Sequence, residues 1–291
     1  SMQTDMNSQT AVAQTSARAA YPKRPFAGRE MLFSLGSLLV IAIVVQLVYA
    51  TVIRPRAEAI IANVAAADAR GEDTSAGHEL RSPWIILKDY EQEVSIILTI
   101  WALVLLTQQG LATAASRRLL DKTYIDVDDN HVVLPEDARA YSRPLERLPE
   151  EERMMILPRA LGVGLNRFGA TRSVQDAAEA VINECEYEAA RLDAQLSMIR
   201  FTAWAIPAVG FIGTVRGIGI SLQEAKVALQ GDISGVTAGL GIAFNSTLVA
   251  LVLCILVMFC LHQLQQAQDR LVLEARAYID RRLLRHMRVF S

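Results

Sequence analysis

The 291 residues contain three cysteines, Cys185, Cys254 and Cys260. The count is odd, no zinc-type spacing is present, and two of them stand in one apolar run, so a disulfide framework is excluded. Nine prolines and 16 glycines are too few for collagen-like or low-complexity sequence, and no repeat of roughly 20 to 50 residues is visible. A net charge of −2, from 29 basic and 31 acidic residues, offers no basic face for nucleic acid. Asp126-Val-Asp128-Asp129-Asn130 lacks the glycine and closing glutamate of a calcium loop. Gly162-Val-Gly164-Leu-Asn-Arg-Phe-Gly169 lacks dinucleotide-binding spacing, and His131 and His262 stand far apart. With no nucleophile–base pairing in view, neither an enzyme nor a resident cofactor or metal is expected.

What is present is apolar length. Hydrophobic residues make up 52% of the chain and gather into runs. A bilayer core about 30 Å thick needs roughly 20 apolar helical residues, because only internally hydrogen-bonded backbone can face lipid. Four runs meet this requirement: Met31 to Ile53, Val94 to Ser116, Phe201 to Leu222, and Ile233 to Leu261. Cys254 and Cys260 read as small hydrophobes in the last. The first run is longer than a signal-peptide core and no small-residue cleavage site follows, so it is expected to be retained as an anchor. Alternate connecting segments hold 22 and 6 of the Lys and Arg residues, which puts both termini of a multi-pass protein in the cytoplasm.

The expected architecture is all-α, with four transmembrane helices of which the last two extend as cytoplasmic helices. Residues 1–28 read as a mobile cytoplasmic tail, and 29–116 as the first two spans around a periplasmic loop, 54–93, with a helical piece at Glu58 to Ala69 and a turn at Gly71 to Gly77. Segment 117–200 is cytoplasmic. Prolines 135, 144, 149 and 158 break its first half, and a long helix over 173–200 begins at the capping sequence Ser173-Val-Gln-Asp176. Ala178, Val181, Cys185, Ala189, Leu192, Leu196 and Ile199 form a seam on that helix, which is expected to run unbroken into the third span. Residues 201–262 hold spans three and four. Residues 263–291 continue as a cytoplasmic helix with a seam at Leu264, Ala267 and Leu271.

Small residues line one face of each of the last two spans: Ala203, Pro207, Gly210, Thr214, Gly217 and Ser221 in the third, and Gly235, Gly239, Ala243, Ser246 and Ala250 in the fourth, with Thr247 alongside. Ordinary close packing of membrane helices is one reading of such stripes. The other follows from Pro207, which leaves the Ala203 carbonyl without its usual partner, and from the hydroxyls of Thr214, Ser246 and Thr247, which together point to water or an ion.

Ala205-Ile-Pro207-Ala-Val-Gly210-Phe-Ile-Gly213-Thr214-Val-Arg-Gly217 resembles the proline-led Gly-Thr-Val-x-Gly segment of the MotA/TolQ/ExbB proton channel family. Gly239-Leu-Gly-Ile-Ala-Phe-Asn-Ser-Thr247-Leu-Val-Ala-Leu resembles that family's last span, and the likeness covers about residues 175–262. The wording is nearer the ExbB/TolQ branch, whereas the four-span layout is nearer the flagellar stator. The resemblance implies a homopentamer around two copies of a single-span partner of the ExbD/TolR/MotB type, in which flow of H+ or Na+ drives a motor. It places Thr214, Thr247 and Pro207 on the ion pathway, with Ser246 beside them, where a hydroxyl goes with sodium use. No Asp or Glu lies inside any of the four runs, so the titrating Asp is expected from the partner. Arg216, inside the third run, is expected to snorkel to the outer interface, the alternative being a pair with Glu224 or Asp232 of a neighbour. A membrane scaffold whose cytoplasmic helices recruit soluble proteins is the alternative function.

Overall fold

A computed structural model describes residues 26–68, 82–125 and 132–289. The N-terminal tail up to residue 25, Ala69, the turn at residues 71–77, the acidic segment 126–130 and His131 lie outside the described residues. Among those described, the elements are helical, and only an isolated bridge, Val133 with Met287, resembles a strand pairing. In order they are α1 (Phe26–Val48), a π turn (Tyr49–Ile53), α2 (Arg54–Asp68), α3 (Pro83–Ile86), α4 (Tyr90–Arg118), α5 (Ala138–Glu146), α6 (Glu150–Arg153), α7 (Ile156–Thr171), α8 (Val174–Gln195), α9 (Ser197–Gln223), α10 (Ala225–Ala228) and α11 (Ser234–Arg282).

Four helical stretches are long and apolar enough to cross a membrane: Leu32–Ala66, Tyr90–Asp121, Val174–Gln223 and Ser234–His286. Each runs past its apolar run. The first does not stop at Arg54-Pro55. Pro55 has no N–H for the Thr51 carbonyl, and the helix passes through the π turn, where Arg54 N–H bonds Tyr49 O, before resuming as α2. The last two, 50 and 53 residues long, exceed the roughly 20 that one crossing needs; the end reached by their excess length is termed the stalk end, and the opposite end, where α1 leads to α4 and α9 to α11, the hairpin end. Helix α4 packs on both α9 and α11, and α1 packs on α4. There Trp101 Nε1 donates to Ser34 O at 3.0 Å.

The helix expected to be unbroken is interrupted by one residue, Leu196, between α8 and α9. The Ser173 hydroxyl caps α8 as read, accepting from Asp176 N at 3.2 Å. Two of the four prolines do not break helices. Pro144 lies inside α5, and Pro158 sits in the first turn of α7, where a missing N–H costs no intrahelical bond. The glycine-rich stretch beginning at Gly162 is inside α7, and Gly164 permits close approach, since a Cβ there would stand 2.7 Å from Val181 Cγ2.

At the stalk end, α5, α7, α8 and the end of α11 enclose a core of Leu157, Leu161, Phe168, Val181, Ile279 and Leu283. The seams need correction. On α8, Val181, Cys185 and Leu192 are buried, but Ala189 is exposed, and Glu184 and Glu188 take the buried positions. Arg159 of α7 is the reason: it bonds Glu184 through Nε and Glu188 through Nη2 at 2.7 Å. On α11, Ala267 is exposed while Gln268 is buried, its amide 3.4 Å from Thr113 Oγ1 of α4.

Removing Arg159 would leave two buried carboxylates without their cation. Arg159→Ala should lower the stability of the stalk end by about 3 kcal/mol or more, whereas Arg159→Lys should recover part of it. Thermal unfolding of the purified protein followed by circular dichroism measures both.

Candidate functional site

The two small-residue stripes face each other. A Cβ on Gly210 would stand 2.6 Å from Ala250 Cβ, one on Gly217 would stand 2.5 Å from Gly239 O, and one on Gly239 would meet Ser221 Oγ. Helices α9 and α11 therefore touch backbone to backbone, which membrane helices achieve only through small residues. Ala203, Ser221, Ala243, Ser246 and Ala250 are buried along this contact, and Pro207 and Gly235 are half-buried at its edge. Ser221 Oγ fastens the hairpin end, 2.9 Å from Val236 O.

Thr214 and Thr247 meet on the flank of the contact, both half-buried, and their hydroxyls hydrogen-bond each other. Thr214 Oγ1 also lies 3.2 Å from Ala243 O and 3.3 Å from Gly210 O, and Thr247 Oγ1 lies 3.4 Å from Gly210 O. Two hydroxyl hydrogens cannot serve all these contacts at once. The pair can therefore reorient, presenting either a donor or a lone pair to a third group.

Ser246 is placed differently. Its hydroxyl donates to Ile242 O of its own helix at 2.7 Å, and its Cβ lies against Gly213, where an added Cβ would come within 2.4 Å of it. Only Thr214 and Thr247 of the four residues read as an ion pathway bond each other; Ser246 is packed beside them, and Pro207 stands two turns toward the stalk end. The carbonyl released by Pro207 has a partner: Cys254 Sγ donates to Ala203 O at 3.3 Å. Cys254, read from the sequence as a small hydrophobe, thus supplies the donor that Pro207 removes. Its place one turn beyond Ala250 on the same stripe was the available signal.

Arg216, expected to snorkel to the outer interface, has acidic partners within its own chain. Its Nε and Nη2 grip Glu91 at 2.7 and 2.8 Å, and Nη2 reaches Asp89 at 3.6 Å. Because α4 begins at Tyr90, a turn before the apolar run, Glu91 and Glu93 enter the bundle and are buried. Glu91 lies against Gly213, where a Cβ would stand 3.1 Å from its Cγ, one residue from Thr214. One acid of this chain, Glu91, therefore does come beside the third span, held by Arg216, while Glu93 is turned to the first and is held by Arg54 at 2.5 Å. An arginine inside an apolar run demands a counter-ion, and the acids opening the neighbouring span were the candidates the sequence offered.

The fold and site define a multi-pass helical membrane protein whose last two long spans are joined by small residues and a hydroxyl pair. Residues 154–277 match the model of the MotA/TolQ/ExbB proton channel family, and both motif-bearing spans lie within that segment. The match reaches beyond the motifs into α7 and along the stalk of α11. No curated protein and no solved structure matches the chain.

Two substitutions test the contact. Gly217→Ala should force the helices apart and destabilise the protein by about 1–3 kcal/mol. Cys254→Ser should retain stability, while Cys254→Ala, leaving the Ala203 carbonyl unpaired, should lose about 1–3 kcal/mol. Thermal melting in a fixed detergent reads each difference.

Proposed function

We propose that this chain is the ion-conducting subunit of a membrane motor in a bacterial inner membrane. Five copies form a ring around two copies of a single-span protein of the ExbD/TolR/MotB type, and that partner supplies the titrating Asp. The termini and the stalk ends of α8 and α11 lie in the cytoplasm, as the Lys and Arg distribution favours. The chain itself is not an enzyme.

The observation that carries this reading is the Thr214–Thr247 hydroxyl pair, set in a segment matching a proton channel family. A carboxylate needs donors and a protonated carboxyl needs an acceptor; a pair that can turn to offer either suits an acid that changes state during each cycle. The arginine on Glu91, the acid nearest the threonine pair, supports assigning the cycling acid to the partner, since both of its oxygens are held by one guanidinium. Protons are favoured over sodium because Ser246, whose hydroxyl would go with sodium use, is buried against Gly213 and makes no bond to the threonine pair.

The scaffold reading has one observation in its favour: both stripes are occupied within the subunit, so packing alone accounts for their small residues. The threonines separate the two. In vesicles holding the complete complex, Thr214→Ala and Thr247→Ala should each reduce ion flux at least about tenfold, the effect of one lost hydrogen bond to a charged group, while the oligomer persists. Thr247→Ser should retain most of the flux. Full activity in both alanine variants would instead favour the scaffold. Flux that survives without sodium and stops with an uncoupler identifies the ion as H+.

A further inference from the structure

The first two spans meet at the hairpin end in a cluster on the opposite side of α4 from the threonine pair. Glu93 is 3% exposed; Oε2 lies 2.5 Å from Arg54 Nη2, and Oε1 is buried with no hydrogen-bond partner among the described residues. Tyr49 is 1% exposed, and its hydroxyl is likewise buried and unpartnered among them. Arg54 joins the two, its guanidinium 5.9 Å from the centre of the Tyr49 ring and 4.5 Å from that of Tyr90. Asp89, a turn before Glu93, is the other charged group acting on Tyr49, and it leans toward Arg216.

The π turn builds this arrangement. The wider turn over Tyr49–Ile53, which accommodates Pro55, carries one more residue than an α turn, and the chain leaving it is rotated accordingly. Tyr49 at its start and Arg54 at its end are thereby both turned toward α4. Ile41, Val45, Ile53, Trp84, Ile96 and Ile97 surround Tyr49 with hydrocarbon, so water competes little for the two free oxygens.

We propose that Glu93 and Tyr49 form a proton-binding site between the first two spans, separate from the threonine pair and loaded from the solution at the hairpin end. The proton leaves water and bonds to Glu93 Oε1; no other covalent bond changes. No hydrogen bond joins the two free oxygens in this structure; brought together by side-chain rotation, the Tyr49 hydroxyl would donate to the ionised carboxylate and accept from the protonated one. A tyrosine hydroxyl serves both states, and hydrocarbon serves neither. Protonation also cancels the charge that holds Arg54, so loading the site loosens the tie between the π turn and α4. Glu91 is the contrast within the same helix: both its oxygens are bonded to Arg216, and neither is left unpartnered. The proposal does not depend on the motor reading.

Infrared difference spectroscopy of the full-length protein in lipid bilayers tests it, with pH titrated from about 4 to 9, the span in which perturbed carboxyl groups ionise. Wild type should gain the carbonyl band of a buried, protonated carboxylic acid as pH falls, its intensity growing about tenfold per pH unit well above the midpoint and levelling off below it. Glu93→Gln should lack that band, and Glu91→Gln should keep it. Tyr49→Phe, which removes one oxygen and keeps the ring, should shift both the band and its midpoint, and it decides the matter should Glu93→Gln fail to assemble. A spectrum unchanged by Glu93→Gln or by Tyr49→Phe, or a wild type with no titrating band in this range, overturns the proposal.

Discussion

Backbone contact between α9 and α11 is the constraint on which the rest of this molecule depends. Lipid gives apolar side chains no reason to leave it, so two spans stay together only by fitting closely and by satisfying each other's polar atoms. Gly210, Gly213, Gly217 and Gly239 provide the fit, and Ser221, Thr214, Thr247 and Cys254 provide the polar closure. The threonine hydroxyls touch because the glycines around them admit the opposing helix. The proline in the third span is tolerated because a thiol on the fourth reaches the carbonyl it leaves open.

A second consequence of the same fit is electrostatic. With no side chain at Gly213, the carboxylate arm of Glu91 can lie against α9, and Arg216 can hold both its oxygens. Charges otherwise expensive to bury are thus made into ties between helices, Arg216 joining α9 to α4 and Arg54 joining the start of α2 to α4. Both ties run to α4 near its start, which brings the paired charges to the hairpin end, away from the hydroxyl pair on the α9–α11 flank.

Much of this was legible in residue order. The four runs, the capping serine at residue 173, both stripes and the two motif threonines are local or periodic signals, and each corresponds to an element or contact in the structure. The failures have a common cause. Run boundaries drawn by hydropathy placed Glu91 and Glu93 outside the second span, although a helix continues for as long as its backbone bonds can close. Periodicity assigned Ala189 and Ala267 to buried seams because alanine fits such a face; Arg159 drew Glu184 and Glu188 inward instead, and Thr113 met Gln268. A seam read from one helix cannot register a polar partner carried by another.

The sequence by itself determined that the chain crosses a membrane in four helices, that its last two spans present small faces, and which family its motifs resemble, since each of these depends on composition or spacing along one segment. Only the tertiary structure decided that the two faces are turned on each other, that Cys254 closes the gap made by Pro207, and that Arg216 belongs to Glu91. Those are distances between residues separated by 51 and 125 positions, and the fit of one helix against another, rather than any pattern within a helix, sets them.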